Sequence, residues 1–162
     1  LADAKFLAGC SGMVLDYAAR EPFWRRNLNY NHGTGHGVGY LGNIHEAPIG
    51  FRWKATRDAM CEIEPGMVIT NEPGIYIEGS HGIRIENELL VRAGEKNEYG
   101  QFLYFEPLTF VPIDLDALRP ELMTEEEKQL LNAYHQSVYE KISPYLEAEE
   151  KEWLKEYTRP VK

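Results

Sequence analysis

Three histidines, His32, His36 and His45, stand close together in the chain, and Gly33, Gly35, Gly37 and Gly39 separate or flank the first two. Imidazole binds a metal or moves a proton near neutral pH. Glycine lets backbone approach backbone or ligand, because it has no Cβ. Two carboxylates add to the set. Glu72 interrupts an apolar run directly before Pro73 and Gly74, and a buried carboxylate there needs a partner. Glu86 lies in the alternating run 82–91, on one face with Arg84 and Glu88. One imidazole with two carboxylates suits a divalent ion such as Mn, Zn, Fe or Co. Carboxylates also bridge pairs of ions that together activate one hydroxide. The separations along the chain do not by themselves prove that His36, Glu72 and Glu86 converge.

On a helix, His32 and His36 would share one face and could grip zinc. The glycines oppose a helix, since each costs about 1 kcal/mol relative to Ala. The segment reads better as a loop entering a short strand over residues 35–40, where even spacing keeps both histidines on one side. A glycine-rich turn without a site is the alternative. Glu72 falls where a strand over residues 67–70 bends. For Glu86 two readings stand open. It pairs with Arg84 on a solvent face, or it turns inward beside Glu72 with Arg84 in support.

Upstream, residues 1–9 read as a helical fragment stopped by Gly9. Ser11 caps a second helix whose buried stripe is Val14, Leu15, Ala18 and Ala19. Pro22 opens a separate short helix, and Asp16 reads as a structural or surface acid. Downstream, strands are expected over residues 51–55, 82–91 and 102–110, with turns at Pro65-Gly66 and over 95–100. Thr124 and Glu127 form a capping box. It starts a helix of about twenty residues with Leu131, Tyr134, Val138, Ile142 and Tyr145 on one face, ended by Pro144. Residues 147–157 form a last helix with Trp153 and Leu154 inward. His81 and His135 carry no role in this reading. Residues 1–112 form a sheet-containing domain of α+β class, and 113–162 a helical extension.

The 162 residues suffice for a sizeable core, and a net charge of −9 argues against nucleic acid or an anionic membrane as partner. Cys10 and Cys61 lack metal-ligand spacing, which points to a reducing, cytoplasmic compartment without a disulfide framework. No apolar run is long enough to span a bilayer, and no signal peptide is visible. Residue 1 is Leu, inside what reads as a helix, so the chain is expected to be a piece of a longer protein.

Four motifs occur in order: His32-Gly-Thr-Gly-His36-Gly-Val-Gly, Asn43-Ile-His45-Glu, Asn71-Glu72-Pro-Gly-Ile-Tyr76 and Gly82-Ile-Arg84-Ile-Glu86-Asn. This succession resembles the catalytic half of the pita-bread metallopeptidases, in the aminopeptidase P (Xaa-Pro aminopeptidase) branch. The stretches from Phe105 to Asp114 and from Trp153 to Pro160 resemble the C-terminal extension of its longer members. The resemblance implies an incomplete pita-bread fold, with a mainly antiparallel curved sheet, flanking helices and a C-terminal helical extension. It implies two divalent metal ions, Mn first and Zn or Co as alternatives, held by two Asp, one His and two Glu. By motif these are His36, Glu72 and Glu86, with Glu72 also a proton shuttle. His32 and His45 match histidines that line the substrate pocket, and Arg84 a residue supporting the second glutamate. Asn87 stands where many relatives carry Asp. The implied substrate is a peptide with Pro at the second position, and the implied assembly a homodimer. The family's two Asp ligands lie upstream of the histidine motif on strands. Only Asp3 and Asp16 stand upstream here, both in predicted helices. The chain by itself is therefore expected to be inactive and to hold at most one ion weakly. A metal-free pita-bread module that binds peptides or proteins is the competing reading.

Overall fold

The computed structural model describes residues Leu1–Lys162. The chain forms two compact units, Leu1–Thr109 and Phe110–Lys162.

The first unit holds β1 (Lys5–Leu7), α1 (Gly12–Trp24), β2 (Gly35–Gly37), β3 (Glu46–Phe51), β4 (Val68–Asn71), β5 (Gly74–Ile77), β6 (His81–Arg84), β7 (Asn87–Asn97) and β8 (Gly100–Pro107). Six strands make an antiparallel sheet in the order β1-β8-β7-β4-β2-β3, while β5 and β6 pair as a separate ribbon. Leu15 of α1 packs with Phe51, Ile69, Leu89, Leu103 and Phe105 in the core. Burying such side chains contributes about 1.5–3 kcal/mol each.

Several expectations change. Residues 1–9 are not helical. Lys5–Leu7 is a strand, because β8 supplies partners from Phe102 to Tyr104 and only Phe6 turns inward. The long helix runs through Pro22, and its buried face carries Leu15, Asp16, Ala19 and Arg20, with Val14 and Ala18 exposed. Two charged residues enter that face because they neutralise each other at i,i+4, 2.6 Å apart. The strand expected over 51–55 lies earlier, at Glu46–Phe51.

The run 82–91 is two strands in two different sheets. Asn71 of β4 pairs with Asn87 of β7, and Gly74 of β5 pairs with Arg84 of β6. The chain leaves the main sheet after Asn71 and re-enters it at the paired Asn87. Glu72 and Pro73 make one crossing, Ile85 and Glu86 the other. The register is the same on both sides of the break, so Glu72 stands opposite Glu86 across it.

The second unit contains two short helical turns at Leu115–Ala117 and Pro120–Leu122, then α2 (Glu125–Ile142), a turn at Ser143–Tyr145 carrying Pro144, and α3 (Ala148–Tyr157). Thr124 and Glu127 cap α2 reciprocally, as the sequence predicts, and Glu147 and Glu150 do the same for α3. His135, Val138 and Leu154 are buried. The Ile113 N–H donates to His135 Nε2 at 2.9 Å. Tyr145 and Trp153, expected inward, are exposed, and Trp153 stacks on Tyr157. No helix is long and apolar enough to cross a membrane.

Candidate metal and peptide site

β2 lies between β3 and β4, and His36 sits at its centre. The approach is close. A Cβ at Gly35 would collide with the Thr70 carbonyl and the Phe51 ring, so glycine there is a packing requirement. The His36 N–H donates to Thr70 Oγ1 at 3.0 Å, and Thr70 Oγ1 donates to Glu72 Oε1 at 3.2 Å. Thr70 thereby ties the imidazole-bearing strand to the carboxylate. The Glu72 N–H in turn donates to the Thr34 carbonyl at 2.7 Å.

His36 Nδ1 lies 2.9 Å from the Gly37 carbonyl. A carbonyl only accepts, so Nδ1 carries a proton. Nε2 stands 3.3 Å from Glu72 Oε1. In neutral His36 that contact sets two lone pairs against each other, and it is favourable only with a proton or a cation between them. A ring oriented through its other nitrogen, facing a carboxylate fixed by a hydroxyl, is how proteins prepare metal ligands. An imidazole and a carboxylate are donor types that a divalent ion takes.

The structure brings His36 and Glu72 together, and sets the His45 ring 4.1 Å from that of His36 between centroids. It does not bring in the carboxylate of Glu86. No three His, Cys, Asp or Glu side chains lie close enough to hold an ion. Glu86 Oε2 accepts from Arg84 Nε at 3.2 Å and is partly exposed. Arg84 thus pairs with Glu86 on the ribbon side of the site. The Tyr76 side chain, and then the Glu86 carboxylate, push the Arg84 guanidinium further above its ordinary pKa.

His32 Nδ1 is 2.6 Å from the Gly33 carbonyl, so its Nε2 accepts from the Tyr76 hydroxyl at 3.0 Å. His32, His36, His45, Glu72, Tyr76 and Arg84 all border one cavity of about 210 Å³. A cavity of about 780 Å³ lies in the second unit beside α2 and α3 and has no histidine in its lining.

Asp16 is fully buried, paired with Arg20 and hydrogen-bonded by Thr34, whose hydroxyl also meets Tyr30. Arg20 further donates to the Tyr30 carbonyl at 2.8 Å and the His32 carbonyl at 2.7 Å. Burial raises the Tyr30 pKa. This network, unread in the sequence, sets the backbone that enters the histidine motif. The four-residue spacing of Asp16 and Arg20 was its only signal.

The model for metallopeptidase family M24 matches residues 2–93, and that for the C-terminal region of peptidase_M24 matches residues 101–161. The chain belongs to metallopeptidase family M24. Among M24 relatives, the probable Xaa-Pro aminopeptidase P of Talaromyces marneffei is 44% identical over 98% of this chain and 25% of its own length. Aminopeptidase P2 of Arabidopsis thaliana is 44% identical over 99% of this chain and 23% of its own length. The chain thus spans about a quarter of the length of these curated M24 relatives. A solved M24 structure, the Caenorhabditis elegans X-prolyl aminopeptidase, described as a cytosolic enzyme with a di-nuclear active site, superimposes with a TM-score of 0.89. It is 38% identical, over 99% of this chain and 26% of that one. The fold is accordingly the pita-bread one of M24, represented here by an open, mainly antiparallel sheet with flanking helices.

Proposed function

We propose that this chain is the C-terminal catalytic part of an Xaa-Pro aminopeptidase, hydrolysing the bond between an N-terminal residue and a following proline. The contact of His36 Nε2 with Glu72 Oε1 carries the reading, together with membership of M24. His36, Glu72 and Glu86 would hold two divalent ions, Mn first and Zn or Co as alternatives, with aspartates contributed from outside these residues. The shared register of Glu72 and Glu86 supports the second glutamate. Asp16 is no substitute, because Arg20 and Thr34 already occupy its oxygens. Bound ions of this kind supply hydroxide near neutral pH by lowering the pKa of water.

The remaining steps fall to the chain's own side chains. Thr70 and the Gly37 carbonyl hold Glu72 and His36 in orientation. Glu72 takes the proton released in the attack and delivers it to the leaving nitrogen. His45 binds the scissile carbonyl, and His32, held by Tyr76, positions the proline side. Proline's tertiary amide has no N–H, so recognition works through the ring and the carbonyl. Arg84 pairs with Glu86 and supports it. The substrate is a peptide with Pro at the second position, the compartment is the cytoplasm, and the enzyme is a homodimer.

The test is hydrolysis of an Xaa-Pro peptide by the complete protein with added Mn. Turnover is expected in the parent and none in His36→Ala. A protein that binds such peptides equally well with and without His36, and never cleaves them, is the metal-free binding module instead. The 162 residues alone are expected to give no turnover.

A further inference from the structure

Tyr30 stands two residues before His32, is buried, and does not line the cavity that His32 borders. Both members of the buried ion pair grip it. The Arg20 guanidinium lies over its ring, 4.0 Å from the centroid, and also donates to its carbonyl. Such a cation is attracted by the electron-rich ring face. Thr34 gives its one hydroxyl proton to Asp16, so towards Tyr30 it accepts, and the phenol is the donor. Burial raises the Tyr30 pKa, which keeps that proton in place. Phe23 meets the ring edge-on, 5.4 Å between centroids. Ring face, hydroxyl and carbonyl of Tyr30 are thus all held.

The His32 ring lies against this fixed ring, 5.0 Å between centroids and tilted by 38°. On its other side Tyr76 meets the imidazole at 5.4 Å. Arg20, Tyr30, His32 and Tyr76 therefore form one column that runs from the buried ion pair to the cavity. Its two ends differ. Tyr76 is half exposed on the separate ribbon, whereas Tyr30 is locked in the interior. The rigid reference for the imidazole is Tyr30. We propose that Tyr30 is a positioning residue for His32: its ring, fixed by Arg20 and by Thr34 with Asp16, is the wall that keeps the imidazole turned to the proline side of the substrate. The inference rests on the aminopeptidase reading above, in which His32 contacts that side. It predicts a loss in substrate binding and none in metal binding, because His36 and Glu72 are oriented by the Gly37 carbonyl and Thr70.

The test uses the complete protein with Mn and the peptide alanyl-prolyl-alanine. Tyr30→Leu removes the ring and is expected to raise KM about tenfold at nearly constant kcat, the upper scale of one aromatic pair. Tyr30→Phe keeps the ring but frees it from Thr34, and KM is expected to rise about threefold. Mn affinity, titrated calorimetrically, is expected to match the parent in both. Unchanged KM in both variants overturns the proposal. So does a fall in kcat and Mn affinity in step with KM, which marks Tyr30 as a packing residue only. Should Tyr30→Leu fail to fold, Tyr30→Phe carries the test alone, and parental KM then overturns the proposal. Failure of the parent to cleave the peptide sinks the aminopeptidase reading instead. The His32 ring-proton NMR resonances, assigned by their loss in His32→Gln, then decide on Tyr30 separately. They must move in Tyr30→Phe, and unmoved resonances end the proposal.

Discussion

His36 Nε2 on β2 and Glu72 Oε1, just past the end of β4, stand 3.3 Å apart, and the Thr70 hydroxyl touches both residues. The pair is held from behind. The Gly37 carbonyl fixes the ring and Thr70 fixes the carboxylate, so little reorganisation is left when a cation arrives between them.

That arrangement makes Thr70 a positioning residue. Thr70→Val keeps the shape but removes both hydrogen bonds, leaving the part-buried His36 N–H without a partner at a cost of up to about 1–3 kcal/mol. Mn affinity of the complete protein is expected to fall about 10–100-fold, as for other supporting residues of metal ligands. Calorimetric titration with Mn, alongside a denaturant melt, checks both effects.

Arg20 makes a second prediction. It neutralises buried Asp16 and caps the carbonyls of Tyr30 and His32. Arg20→Met leaves a buried carboxylate unpaired and is expected to destabilise by about 3–5 kcal/mol. Adding Asp16→Asn removes the stranded charge, so the double variant should recover part of that loss. Urea unfolding of the single and double variants measures the coupling. Strictly additive losses would show that the two side chains act independently.

His135 sets a pH dependence in the second unit. Burial lowers its pKa below the ordinary value of 6.5. Its Nε2 accepts from the Ile113 N–H, and protonation ends that bond. The unfolded chain binds the proton more readily, so stability is full above about pH 6.5 and falls as pH drops through that value, by at most about 1.4 kcal/mol per pH unit. The decline levels off below the lowered folded-state pKa. His135→Gln keeps an acceptor but does not titrate. Denaturant melts between pH 7.5 and 5 should show a shallower slope in the variant than in the parent.

Much of this molecule is legible from residue order alone. The histidine and glycine alternation, the Glu-Pro-Gly bend and the Thr124 capping box depend on neighbours a few residues away, and local rules suffice for them. The four motifs in succession identify the family, whose model matches residues 2–93. What needed the tertiary structure was partnership across the chain. Residues 1–9 look helical in isolation, yet β8 offers an edge that turns Lys5–Leu7 into a strand. The run 82–91 looks like one strand, yet pairing with both β4 and β5 divides it at Ile85 and Glu86. The contact of Arg84 with Glu86, and the buried Asp16 to Arg20 pair, arise from three-dimensional packing of charges. Side-chain types and spacings specify which atoms can do chemistry; the register between distant strands, set by burial of their apolar faces, decides which of those atoms meet.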